Sequence, residues 1–366
     1  MSALTGRARI GSSLDTGQWR AAVGMAGAVI ALHAIGFFLL LGLVAPHHYR
    51  VARAGAFLVG TGLTAYTLGL RHAFDADHIA AIDNTTRKLM GEGKRPMTVG
   101  FWFSLGHSTV VFVLAFLFAL GIRSLGGQVR NGGSALHSVT GLVGTGVSAG
   151  FLYVLAAINI AVLLGIVKGI SQLRSGDCDE AEAEAKLRIG GPMNRVFGRL
   201  TATISSSWQM YPVGILFGLG FDTATEVALL FLAAGAAGAG LPFYAILCLP
   251  ILFAAGMSLL DALDGSFMTF AYGWALARPV RKVFYNLVIT GLSVATALVI
   301  ATIELGGLLA QRLGAHGGFW GWLEGININT LGVIVVVMFV ATWAIALAAW
   351  RLARVEERWG AGRALR

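Results

Sequence analysis

The sequence predicts an all-α integral membrane protein of about eight transmembrane helices. Three observations carry this. Residues of the hydrophobic types make up 56% of the chain against 12% charged, outside the range of soluble globular domains. Apolar runs recur that are long enough to cross a hydrocarbon core of about 30 Å as helices. The 50 glycines suit helices that pack backbone to backbone in lipid, where small residues allow close approach.

The runs fall at about 22–45, 55–84, 98–121, 139–167, 211–237, 241–275, 283–308 and 329–350. They divide the chain into a tail (1–21), a first half of four spans (22–168), a polar linker (169–210), a second half of four spans (211–350) and a C-terminal tail (351–366). The first run is longer than a signal-peptide apolar region and lacks an evident small-x-small cleavage site, so it is expected to be a retained helix. The linker, with Glu180, Glu182 and Glu184, reads as a solvated segment between halves.

Positive charge orients the chain. The two tails, the 85–97 loop, the 168–200 segment and the 276–282 loop carry 21 of the 27 Lys and Arg residues, so these segments and both termini are expected on the cytoplasmic side of the cell membrane. The net charge of +9 then reflects loops facing anionic headgroups, and no nucleic-acid partner is expected. Cys178 lies in the linker and Cys248 in an apolar run, which leaves no disulfide framework and no thiolate metal site. "GKR" at 93–95 lacks the glycine spacing and the hydroxyl residue of a phosphate-binding loop, so ATP is not expected to drive this chain and no ATPase subunit is required.

Ionisable residues inside the apolar runs are costly, and each is a functional candidate. Asp75, Asp77, Asp83, Asp222, Glu226, Asp261 and Asp264 stand there against Arg71, a surplus of negative charge that protons or a cation must neutralise. If the second span is one continuous helix, His72, Asp75 and His78 share a face, with Asp83 in the same arc and Asp77 on the other side. Two imidazoles and a carboxylate on neighbouring turns suit a borderline divalent ion such as nickel, cobalt or zinc, and disfavour copper(I). His107 lies at a comparable depth in the third span. Asp222 with Glu226, and Asp261 with Asp264, are paired carboxylates on single helix faces that could also relay protons. His33 and Asn159, taken singly, fit packing as well as function; His47, His48, His137 and His316 read as surface groups near outer loops.

"LGLRHAFDADHIA" in the second span echoes "FGLGFDTATEVA" in the fifth, both with Phe-Asp after a Gly-containing triplet. An offset of three spans reverses direction through the membrane. This is the trace an inverted pseudo-repeat leaves, and one that chance also produces in glycine-rich apolar sequence.

"RHAFDADHI" at 71–79, "LGHSTVV" at 105–111, "GFDTATE" at 220–226 and "GMSLLDALDG" at 256–265 together resemble the nickel/cobalt transporter (NiCoT) family of secondary permeases, in the family's motif order and over nearly the whole chain. The resemblance implies import of Ni²⁺ or Co²⁺ as substrate into the cytoplasm, with no permanently bound cofactor. It makes His72, Asp75, Asp77 and His78 the leading metal residues, with His107, Asp222, Thr223, Thr225, Glu226, Asp261 and Asp264 second. On depth and charge His107 is expected to complete the metal site, Arg71 and Asp83 to join the second group as pathway or proton-relay residues, and Phe74 to be a selectivity position. Ala262 departs from the family's sixth-span pattern, Asp-Thr-x-Asp, and removes a hydroxyl. The alternative from another class is an intramembrane metal-dependent hydrolase, since a His/Asp-held metal with an open position can activate water, although the chain has no HExxH motif.

Overall fold

The computed structural model describes residues 15–47, 49–51, 55–56, 59–120, 135–175, 204–219, 224–238, 240–276, 279–314, 317–326, 330, 332–338, 340–342 and 344. Helix α1 (Thr16–Phe38) starts at a capping box: Asp15 Oδ1 accepts from Gln18 N–H at 2.7 Å, and Gln18 Oε1 accepts from Asp15 N–H at 3.1 Å. It continues through a π-helical stretch (Leu39–Val44) and a 3₁₀ turn (Ala45–His47). A two-residue antiparallel pair follows, β1 (Arg50–Val51) with β2 (Gly55–Ala56); the other regular elements among the described residues are helices. The remaining helices are α2 (Val59–His72), α3 (Ala76–Gly91), α4 (Val99–Ala119), α5 (Ala135–Ser175), α6 (Met210–Gly218), α7 (Ala224–Gly238), α8 (Phe243–Leu276), α9 (Pro279–Leu313) and α10 (Phe319–Glu324).

Among the described residues, five helical stretches are long and apolar enough to cross a membrane: Thr16–His47, Val99–Ala119, Leu142–Ala161, Phe243–Gly273 and Thr290–Leu313. The second expected span is not one helix. It stops at His72 and restarts at Ala76, so the continuous-helix geometry expected from the sequence is corrected here. The fifth expected span likewise divides between α6 and α7, with residues 220–223 outside the described set. The eighth is described only in part, over 332–338 and 340–342.

Helix α8 forms the centre. Its Leu249, Leu252, Phe253 and Met257 are fully buried in a cluster that takes in Leu40 from the end of the first helical stretch, Ala65 of α2, Val111 of α4 and Leu229 of α7. A second cluster joins Ile79 and Ala80 of α3 to Leu152 and Ala156 of α5 and to Ala297 and Ile300 of α9. Helix α1 lies at the edge and exposes Val23, Ile30 and Phe38, as a lipid-facing helix does.

Close backbone approach sets where the polar side chains meet. A Cβ at Gly106 on α4 would run into the carbonyl oxygen of Tyr211 on α6, and one at Gly214 on α6 into that of Phe103 on α4. The absence of side chains at both positions is what lets these helices touch, the small-residue packing expected in lipid. Gly69 and Gly256 play the same part between α2 and α8, against the carbonyl oxygens of Phe253 and Tyr66.

The two ends of the molecule are distinct. The start of α1, the turn at 92–98 and the segment before α6 meet at one end, where Asp15, Gln18, Lys94, Thr98 and Ser207 line a shallow cavity. Lys88 Nζ donates to the carbonyl of Ile204, and Lys94 Nζ to that of Ser205 at 2.7 Å. At the other end the hydroxyls of Tyr49 and Tyr244 stand 2.5 Å apart, tying the segment before α2 to the start of α8.

Candidate metal centre

The centre is built on the break between α2 and α3. The chain leaves α2 through tightened turns: Phe74 N–H donates to Arg71 O at 3.1 Å and Asp75 N–H to His72 O at 2.9 Å. Asp75 then takes an extended conformation (φ −65°, ψ 138°) as the N-cap of α3, and Ile79 N–H returns to its carbonyl at 3.2 Å. An aspartate here would ordinarily cap the new helix with its side chain. Asp75 does not; its Oδ2 lies 2.7 Å from His72 Nδ1. A carboxylate on Nδ1 fixes the ring and turns Nε2 inward, the arrangement that commonly orients a metal-binding histidine.

His72, His78 and His107 converge. Each can offer a ring nitrogen such that all three atoms lie within 4.8 Å of one another, and the residues are 1%, 1% and 3% exposed. The ring centroids are 4.6 Å apart for His72 and His78, 4.7 Å for His72 and His107, and 4.8 Å for His78 and His107. The Nε2 atoms of His72 and His107 stand 2.9 Å apart. Neither ring nitrogen of His78 makes a hydrogen bond among the described residues, although its Nδ1 is 3.7 Å from Asp261 Oδ2. Phe103 meets His78 edge-on at 4.7 Å between centroids, and Phe253 packs beside His72 at 5.5 Å.

Three carboxylates frame the imidazoles. Glu226 Oε1 on α7 accepts from His107 Nε2 at 2.7 Å and lies 4.0 Å from His72 Nε2. Asp75, Glu226 and Asp261 are each 1% exposed. Three imidazoles amid three buried carboxylates form a set of nitrogen and oxygen donors with excess negative charge, which a divalent cation of the nickel, cobalt or zinc type matches.

The other sequence candidates fall elsewhere. Asp77, expected among the metal residues, has its Oδ1 accepting from His78 N–H at 2.9 Å and its Oδ2 3.5 Å from the hydroxyl of Ser148 on α5. It sits in the first turn of α3, where the helix dipole favours a negative charge. Asp83 lies further along α3, fully buried, and accepts from Tyr272 and from Ser293 Oγ, the latter at 2.6 Å. Asp264, one turn along α8 from Asp261, is partly exposed. Phe74 is partly exposed, and its carbonyl oxygen leaves no room for a side chain at Gly332. Arg71 is exposed, whereas Arg87 on α3 is 8% exposed and donates to Asn84 Oδ1 at 3.2 Å. Arg87, expected in the 85–97 loop, lies within α3. Asp222 and Thr223 lie outside the described residues; Thr225 belongs to α7. Ala262 is buried in a small apolar cluster with Val29 and Phe101, so the hydroxyl absent from this position would have stood among apolar side chains.

Glu304 was missed. It is 7% exposed on α9 and accepts from Ser148 Oγ at 2.8 Å, beside Asp77. It lies four residues from the end of an expected span, and the rule that singled out the other acids applies to it equally. His33 is a packing residue: Nδ1 is 2.8 Å from Val29 O and Nε2 is 3.2 Å from the Tyr66 hydroxyl.

Fold and site define the class: a multi-pass helical membrane protein with metal-ligand side chains gathered inside its bundle, the architecture of an ion permease. Residues 58–349 match the family model NicO, described as high-affinity nickel-transport protein, and the chain belongs to that family. It is 58% identical to the nickel transporter NicT of Mycobacterium tuberculosis over 353 residues, covering 96% of this chain and 94% of the relative. It is 45% identical to the nickel transporter NixA of Staphylococcus aureus (90% and 94% covered) and 42% identical to the cobalt transport protein NhlF of Rhodococcus rhodochrous (92% and 94%). No solved structure matches the chain. These relatives are named as transporters, and the chain is a transporter rather than the hydrolase weighed as an alternative.

Proposed function

We propose that the protein is a secondary permease that imports Ni²⁺, Co²⁺ or both across the cell membrane, with both termini cytoplasmic. The observation that carries the reading is the burial of three imidazoles, with nitrogens within 4.8 Å of one another, where the break between α2 and α3 meets α4. Discontinuous helices are a common way to place an ion site near the middle of a bilayer, because helix ends and unwound backbone supply polar groups without exposing them to lipid. His72, His78 and His107 are the ligands to the transported ion in this reading. Asp75 orients His72, Glu226 and Asp261 supply compensating charge, and Asp77, Asp83, Asp222, Thr223, Thr225 and Asp264 serve the route to and from the centre.

ATP is not required. Entry of a divalent ion gains about 4.6 kcal/mol per 100 mV of membrane potential, twice the value of about 2.3 kcal/mol per charge. The names of the relatives support both metals: NicT and the staphylococcal NixA for nickel, NhlF for cobalt. The test is uptake of radioactive nickel and cobalt into proteoliposomes that contain this chain alone. Accumulation driven by an inside-negative potential supports the reading; no uptake of either ion under any imposed gradient overturns it.

A further inference from the structure

Past His78, helix α3 is shut in. Every residue from Ile79 to Arg87 is buried, whereas at the other side of the helix break Arg71 is exposed and Phe74 and Asp77 are partly so. The histidine centre is therefore sealed toward the end of the molecule that carries the 92–98 turn.

The seal is polar. Asp83 on α3 accepts from Tyr272 of α8 and, at 2.6 Å, from Ser293 of α9. One residue on, Asn84 Oδ1 accepts from Asn159 Nδ2 of α5 at 2.5 Å and from Arg87 Nη2 at 3.2 Å, while Asn84 Nδ2 donates to the carbonyl of Ala80 at 2.7 Å. Four helices meet in this layer through side-chain hydrogen bonds, about 7.5 Å along α3 from His78 at 1.5 Å per residue.

Apolar packing would hold four helices together at lower cost, because a buried hydrogen bond adds little net stability and a buried charge is expensive. What a polar layer offers is exchange: each of its bonds can be traded for one to water, so it can part into a wetted passage, which an apolar seam resists. The geometry points to Asp83, Asn84, Asn159, Tyr272 and Ser293 as the gate that separates the histidine centre from the end bearing the 92–98 turn, the cytoplasmic end in the orientation proposed above. Release of the ion toward that end requires this layer to open. The inference rests on reading the histidine centre as the transport site, and it assigns positioning roles to Asn159 and to Tyr272 and Ser293, the last two of which nothing in the sequence marked.

The test is accessibility, which needs neither metal nor transport. In full-length protein with Cys178→Ser and Cys248→Ser, a single cysteine is introduced as Ala80→Cys, between His78 and Asp83, and a membrane-impermeant maleimide is applied from each face of oriented vesicles. Adding Tyr272→Phe and Ser293→Ala takes from the buried Asp83 carboxylate two donors that water then supplies, and should raise labelling from the 92–98 end on the order of tenfold, the shift expected when one or two net hydrogen bonds are removed from the closed state. Labelling from the other end should stay the same. Unchanged labelling from the 92–98 end, or an equal rise from both ends, overturns the gate. If the double variant does not reach the membrane folded, Ser293→Ala alone removes one bond and should give a rise of several-fold by the same reasoning. A wild-type chain that fails to transport either metal defeats the proposed function and leaves the labelling result readable.

Discussion

Gly214→Ala tests how the metal centre is assembled without touching a ligand. The Cβ it adds lands well inside contact distance of the carbonyl oxygen of Phe103, and backbone on a packed helix cannot swing aside as a side-chain tip can. Helix α6 must therefore move off α4, and overpacking of this kind costs about 1–3 kcal/mol. The displacement reaches His107 directly: it lies on α4 one turn beyond Phe103, with its backbone nitrogen also close to the added atom. Metal–imidazole bonds tolerate little error about their length of about 2.0–2.1 Å. A shift of some tenths of an ångström to 1 Å should weaken nickel or cobalt binding about 10–100-fold, as loss of ligand support does elsewhere. Calorimetric titration of purified protein measures it, with Gly146→Ala and Gly150→Ala as controls, since a Cβ at either meets nothing within 4 Å. Gly214→Ala binding metal as tightly as the two controls would refute the view that the α4–α6 contact positions His107.

Other expectations follow from the same geometry. His72→Ala, His78→Ala and Asp75→Asn should each abolish uptake while the protein remains in the membrane at normal amounts; near-normal uptake by two of the three would remove the proposed site. Phe74→Val, beside the helix break and against Gly332, should change the nickel-to-cobalt uptake ratio more than total uptake, measured with both isotopes in one assay. Ser148→Ala removes the hydroxyl that donates to Glu304 and should lower thermal stability in detergent by about 1.5–3 kcal/mol, the worth of one hydrogen bond to a charged group, with the metal affinity of the histidine centre little changed.

Much of the site could be read from the chain because intramembrane charge is expensive and hence conspicuous. His72, Asp75, His78, His107, Glu226 and Asp261 were all singled out on that ground, and they converge. The break in the second span was not legible. "RHAFDADH" contains no proline or glycine, and the turn that interrupts it is held by backbone bonds from Phe74 and Asp75 that composition does not announce. Helical periodicity put His72, Asp75 and His78 on one face; a kinked chain achieves the same convergence and adds an N-cap aspartate diverted to a histidine. Tyr272, Ser293 and Ser148 escaped notice because hydroxyls are cheap in apolar helices and become informative only when a carboxylate is found opposite them. Arg87 escaped because charge counting assigns an arginine at the end of a span to solvent.

The central claim is that three histidines hold the transported ion. It is tested most directly by X-ray absorption of the purified protein loaded with one equivalent of Co²⁺ or Ni²⁺, with His72→Ala, His78→Ala and His107→Ala measured beside it. The account predicts imidazole nitrogens at about 2.0–2.1 Å from the metal in the wild type, and one fewer in each variant that still binds. A first shell without imidazole, or one that none of the three substitutions alters, would contradict it.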